Sequence, residues 1–262
     1  MSFDEVKEKT SSAMGQYKGT GALFDEMIEA YSRRQDAAQN LLILALENSH
    51  NESFRKYTHH ATFTTVGDMS TIGELPNLSV IIDLQLTSAT EDDPWQLTIS
   101  PELDEPLRIL TRNLEFLTRP LSTIVFRRVF RLALGKLQDK LWNEVLMRQK
   151  FTAYGATQFL RDNQAILSVV DRFIPGGSAI MARLRAGVQL LTLPLEVSEE
   201  AVASGKSAGI TLQEADSRVY IDNEEARKLL EELQLTLLTT QNARDIMQRR
   251  VENDESYKVR DR

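Results

Sequence analysis

No cysteine occurs among the 262 residues. Disulfides, thiolate metal sites and a cysteine nucleophile are thereby excluded, and the absence fits a reducing compartment. Glycine (12) and proline (7) are scarce, too few to supply the turns of an all-β fold. The three histidines are His50, His59 and His60. No pair has helical ligand spacing and neither HxxxH nor HExxH is present, so surface histidines are expected rather than a metal site. There is no GxSxG to mark a serine nucleophile. No stretch approaches the roughly 20 apolar residues of a membrane span, and no repeat of 20–50 residues is visible. The opening MSFDEVKEKTSS is acidic and polar, unlike a signal peptide, so a cytosolic chain with only partner-mediated membrane contact is expected.

Hydrophobic residues make up 42% and the formal net charge is -7. That is enough apolar material for a sizeable core and an unfavourable charge for general binding of nucleic acid or anionic lipid. Apolar residues recur at steps of three and four over most of the length, which predicts an all-α fold. The first helix is predicted over about 20–58, with Phe24, Met27, Ile28, Tyr31, Ala38, Leu41, Leu42 and Ala45 on one side and a candidate interruption at Asn48 to Asn51. Residues 1–19 are a short helix or a lead-in. Within 59–100, VIIDLQLT (80–87) alternates but has no hairpin partner, and reads as a short helix or extended piece of a long connection. TSATEDDPW (87–95) is a loop by composition.

From Pro101 to about Lys150 a stripe runs through Leu103, Leu107, Leu110, Leu114, Leu117, Leu121 and Ile124, then Val125, Val129, Leu132, Leu141 and Val145. Pro120 is predicted to kink it. Thr152 is a candidate cap for a helix with Phe159, Leu160, Ile166, Val169, Val170 and Phe173 on one face, ended by Pro175-Gly176-Gly177. Ser178 is a candidate cap for a helix to about Leu191, with Ile180, Met181, Leu184 and Val188 inward. Short helices are predicted near 198–204 and 211–219, where TLQE has capping-box spacing. A long helix over about 223–252 has acids in DNEE at its start and a stripe of Ala226, Leu229, Leu230, Leu233, Leu237, Ile246, Met247 and Val251. The end, NDESYKVRDR, reads as a loose tail. The division expected is 1–100, an N-terminal helical segment with a long connection, and 101–262, a C-terminal bundle.

Few residues invite a chemical reading. Gly205-Lys206-Ser207 is the end of a phosphate-binding loop, but Glu200 stands where the wrapping glycine is required. Glu91-Asp92-Asp93 lacks the alternating spacing of a calcium loop. No catalytic, cofactor-binding or metal residue is assigned, no cofactor is expected, and the sequence does not identify the partner-binding residues. FRRVFRLALGK (126–136) interleaves Arg127, Arg128 and Arg131 with aromatics, and residues 119–161 hold nine basic residues against two acids, Asp139 and Glu144. A nucleic-acid-associated helical module is therefore the alternative reading. Phe126 and Phe130 lie four apart, which is core spacing, so the arginines are expected to snorkel or to pair with acids, and nucleic acid is not the expected partner.

The run LGKLQDKLWNEVLMRQKFTAYGATQFLRDNQAILSVV (134–170) resembles the C-terminal part of the RINT/TIP family, the ER-side tethering subunits of the Dsl complex and its animal counterpart. Leu141, Trp142, Val145, Leu146, Phe151, Gly155, Ala156, Gln158 and Asp162 carry the resemblance. It covers about 100–192, and the order of helices fits to 252. The signature is structural rather than catalytic, and members are much longer than this chain. The resemblance implies elongated, stacked helical bundles of the tethering-complex rod type. It implies a non-enzymatic subunit in Golgi-to-ER retrograde transport, peripheral on the cytosolic face of the endoplasmic reticulum. Its implied partners are ER SNARE proteins and other Dsl-type tether subunits.

Overall fold

A computed structural model of the chain describes Glu5 and residues 20–59, 62–65, 99–195 and 210–253. Ten helices occur among them: α1 (Thr20–Ser53), α2 (Arg55–His59), α3 (Thr62–Thr65), α4 (Asp104–Thr118), α5 (Thr123–Leu141), α6 (Ala153–Phe173), α7 (Ala182–Leu191), α8 (Leu212–Ile221), α9 (Asn223–Glu232) and α10 (Thr240–Met247). Among the described residues the chain is all-α. Its one β feature is an isolated parallel bridge between Phe151 and Arg250.

Local chemistry accounts for four of the helix starts. Thr152 opens α6 by accepting a hydrogen bond from Gly155 N at 3.0 Å. Thr211 does the same for α8 from Glu214 N at 3.2 Å, and Thr239 for α10 from Asn242 N at 3.1 Å. Asp222 accepts from both Glu224 N and Glu225 N at 2.7 Å to start α9. Each side chain satisfies one or two of the amides that a helix start leaves without an intrahelical partner. After α6 the chain turns through Gly176 at φ 73, a conformation that glycine adopts without steric cost.

One buried cluster joins the elements. Leu46, Phe54, Tyr57 and Phe63 belong to it, together with residues from α4 through α10. α1 packs along α5 and against α4, α6 against α3 and α4, and α7 against α10. Phe159 and Phe151 sit 5.5 Å apart, centroid to centroid, and Phe63 closes the triangle at 5.5 Å and 5.2 Å.

Several expectations are corrected. α1 buries only part of the apolar side read for it: Ile28 and Leu42 are half-buried, and Leu42 packs against the core. Phe24, Met27, Tyr31 and Leu41 are exposed, and Gln39, Leu46, His50 and Ser53 point inward instead. The helix carries two apolar tracks, and the one that packs includes polar residues, so a count of apolar side chains favours the wrong one. Asn48 to Asn51 do not interrupt the helix, which runs to Ser53. Pro120 separates α4 from α5 rather than kinking one helix. Ile124 is 81% exposed and Leu132 49%, because both lie on the side of α5 opposite Phe126, Val129, Phe130 and Ala133. Ser178 does not cap. Its segment Gly177–Met181 is a 3-10 turn preceded by Gly176, and Ser178 N donates to Asp171 Oδ1 at 2.8 Å. Ile180 is only partly buried, whereas Met181, Leu184 and Val188 are buried as expected.

The long last helix is two helices. Gln234 takes φ 57 and Leu235 N donates to Leu230 O at 2.7 Å. This left-handed closure turns Leu235 and Leu238 inward and leaves Leu237 59% exposed. The predictions for 1–19, 80–87, the 87–95 loop and the helix near 198–204 fall outside the described residues, Glu5 excepted. So do those for Gly205-Lys206-Ser207, Glu200, Glu91-Asp92-Asp93, His60 and the tail from residue 254 on; Asn253, placed in that loose tail, is instead buried and donates to Met247 O at 2.9 Å.

Candidate functional site

The motif at 141–162 was the strongest signal in the sequence, and the structure places all of it inside. Leu141, Trp142, Val145, Leu146, Phe151, Gly155, Ala156, Gln158 and Asp162 are each buried. Trp142–Leu146 forms a π-helical turn, with Met147 N donating to Trp142 O at 2.9 Å. The widened turn puts Trp142 and Leu146 against Gly187 of α7. A Cβ on Gly187 would lie 2.6 Å from Leu146 Cδ2 and 2.8 Å from Trp142 Cζ3, so a side chain there would have to push Leu146 and Trp142 aside. The Arg183 guanidinium caps the indole at 4.1 Å from the ring centroid. Gly155 has a similar role, since a Cβ there would overlap the Phe63 carbonyl, to which Thr152 N donates at 3.2 Å.

Asp162 organises the polar part of the interior. Its Oδ1 accepts from Ser100 N at 2.9 Å and Gln158 Nε2 at 3.0 Å, and its Oδ2 from Ser100 Oγ at 2.6 Å and Tyr57 OH at 3.0 Å. No cation pairs with it among the described residues. Burial pushes the Asp162 carboxyl up from its ordinary value, and the donors from Ser100, Tyr57 and Gln158 oppose that rise. Burial, followed by the adjacent Asp162, holds the Tyr57 phenol well above its usual range. A fully buried carboxylate with four donors is a satisfied structural hub. It joins three segments distant in sequence and has no open approach for a substrate.

Tyr57, Ser100 and Arg250 are the important residues that sequence reasoning missed. Arg250 is 1% exposed. Its Nη1 donates to Leu191 O at 2.6 Å and to Leu193 O at 3.4 Å, and its Nε meets Glu252 Oε2 at 3.0 Å. A buried guanidinium thus occupies the carbonyl-rich end of α7, the end that favours positive charge. Nothing in VENDE or RRV marks this role, because the partners lie about 57–59 residues away.

The expected surface histidines divide. His59 is exposed, but His50 is 1% exposed and neither ring nitrogen has a hydrogen-bond partner. Desolvation pushes its pKa down to about 4. Among the described residues no group of three or more His, Asp or Glu is placed to hold a metal. A cleft of about 370 Å³ lies between the end of α1 and the start of α4, lined by Asn48, Ser49, Glu52, Ser53, Lys56, Glu105 and Ile109. It holds two carboxylates, one amide, two hydroxyls and one ammonium; the Ser49 hydroxyl accepts from Asn113 Nδ2 and the Ser53 hydroxyl donates to His50 O rather than to a base.

What faces solvent is more distinctive. Phe126 and Phe130 are buried with centroids 4.8 Å apart, so neither ring is free to stack on a base. Arg127, Arg128 and Arg131 are exposed. Arg128 faces Asp36 of α1 at 3.5 Å, in line with the pairing anticipated from the sequence. The exposed large apolar side chains include Phe24, Met27, Tyr31, Leu41 and Leu44 on α1, Phe116 on α4, and Ile124 and Leu132 on α5. The arrangement therefore offers a closed interior without a catalytic constellation among the described residues, and helix faces that can receive other helices.

The RINT-1/TIP-1 family profile matches residues 2–250. No curated protein matches the chain. The fold is similar to a chain in the crystal structure of the SNARE Sec20 bound to the Dsl1 complex subunit Tip20, with a TM-score of 0.59 and 18% identity. The alignment covers 94% of this chain and 37% of that one, so this chain spans little more than a third of the length of the structure it matches.

Proposed function

The chain belongs to the RINT-1/TIP-1 family, and on that premise we propose that it is a non-enzymatic part of a vesicle-tethering subunit acting in Golgi-to-ER retrograde transport. It binds an ER SNARE and other Dsl-type tether subunits through the outer faces of its helices. The observation that carries this reading is the family match over 2–250. It is supported by the relative Tip20, which was crystallised with the SNARE Sec20. The surface supports it too, because exposed apolar side chains on α1, α4 and α5 are of the kind that helix-in-groove recognition uses. No helix among the described residues is long and apolar enough to cross a membrane. Contact with the cytosolic face of the endoplasmic reticulum is accordingly proposed to run through partners.

Co-elution and calorimetry with purified cytosolic N-terminal domains of ER SNAREs test the proposal. The expected result is a complex that forms without lipid. Binding to anionic liposomes or to RNA, with no SNARE bound at any concentration tried, would retire the tether reading for this chain.

A further inference from the structure

α5 has one outward line that, apart from the Arg128–Asp36 pair with α1, is exposed or half-exposed among the described residues. Ile124, Arg128 and Leu132 are four apart, and Arg128, Arg131 and Gly135 follow at steps of three and four, so all five share the face opposite Phe126 and Phe130. Ile124 and Leu132 are exposed aliphatic residues two turns apart. Arg127 borders the line, and neither Arg127 nor Arg131 has an acidic partner among the described residues, whereas Arg128 already leans on Asp36. The line is locally basic on a chain whose net charge is -7.

Gly135 is the second observation. Glycine inside a helix weakens it relative to alanine, and its missing side chain leaves room for close approach of another backbone. Among the described residues nothing needs that room, since a Cβ at Gly135 would meet no atom within 4 Å. The dent opens outward beside Leu132.

We infer that the outer face of α5 is a docking site for an acidic amphipathic helix that crosses at Gly135, with its apolar line on Ile124 and Leu132 and its carboxylates on Arg127 and Arg131. Charge complementarity selects the sign of the partner. The aliphatic residues within the basic line, and the burial of both phenylalanines, favour a protein helix over nucleic acid. The inference deepens the tether reading by naming a surface and a partner chemistry, and rests on it for the partner being a protein.

The test uses the full chain and a labelled synthetic peptide of roughly 20 residues, with leucines three and four apart flanked by glutamates, long enough for about five helical turns. Fluorescence anisotropy follows its binding, beside a lysine-flanked version, a single-stranded RNA oligonucleotide and phosphatidylserine vesicles. Saturable binding of the acidic peptide is expected. Gly135→Leu and the double variant Arg127→Glu/Arg131→Glu should each weaken it at least tenfold. Both variants should keep the parent circular dichroism, and Gly135→Leu should melt no lower than the parent, since the added side chain meets open space and improves helix propensity. Equal binding of the lysine version, preference for RNA or vesicles, indifference to Gly135→Leu, or no binding would each overturn the inference. Repeating the SNARE co-elution with Gly135→Leu separates the two readings. A chain that binds the acidic helix through this face but no SNARE sinks the tether reading alone, and the reverse sinks this one alone.

Discussion

Single buried side chains carry the sharpest consequences here. Phe159 is 1% exposed and packs between Phe63 and Phe151. Phe159→Ala removes a whole ring from a site with little room to collapse, so a loss of about 3–5 kcal/mol is expected. A urea titration showing less than 1 kcal/mol of change would mean the ring is not enclosed. His50 makes a different prediction. Its folded pKa is near 4, below the ordinary value of about 6.5 for the unfolded chain. The unfolded state therefore takes up a proton first as pH falls. The stabilising contribution is complete above about pH 6.5 and is lost on the way down to about pH 4. From pH 7 to pH 5 the parent should lose about 2 kcal/mol more stability than His50→Leu, which cannot titrate. Parallel pH profiles for the two proteins would show that the imidazole is solvated after all. None of this was readable beforehand. His50 looked like a surface residue, and Asp162 entered only through a family likeness, because its donors Tyr57 and Ser100 come from distant segments.

Elements were legible where their signals are local. Thr152 and the Pro-Gly-Gly end of α6 were placed correctly because a cap and a breaker act within a few residues of themselves. The face of α1 was not, because a helix with two apolar tracks is settled only by its neighbours, α4 and α5. The break between α9 and α10 was invisible for another reason. The left-handed residue is Gln234, and no glycine or proline announces it. That residue is exposed, so replacing it costs little packing, and a non-glycine at φ 57 is strained. Gln234→Gly is expected to stabilise the protein by about 0.5–1 kcal/mol, relief of strain outweighing the added freedom of the unfolded chain. A lower urea midpoint for this variant would argue that α9 and α10 are one helix in solution.

At the scale of the molecule, stability is unevenly distributed along α1, and that unevenness bears on how the surface is used. From Phe24 to Ala38 its side chains are exposed apart from the half-buried Ile28, whereas Gln39, Leu46, His50 and Ser53 enter the common interior. The all-α class could be read from periodicity alone. This gradient could not, because it depends on how far α1 outruns the helices beside it. An isolated stretch of about 15 residues is a marginal helix in water, so the first half of α1 must borrow its order from the anchored second half. Hydrogen exchange reports such local opening. Amides over residues 24–35 are expected to exchange much faster than those over residues 42–53, while α5 and α6 exchange slowest, since their buried faces sit in the continuous core. Dilution should leave this pattern unchanged if the chain is monomeric. Should residues 24–35 instead be as protected as 42–53, the track of Phe24, Met27 and Tyr31 would have to be covered in solution. A loss of that protection on dilution would then identify the cover as a second copy of the chain, because only an intermolecular contact weakens with concentration.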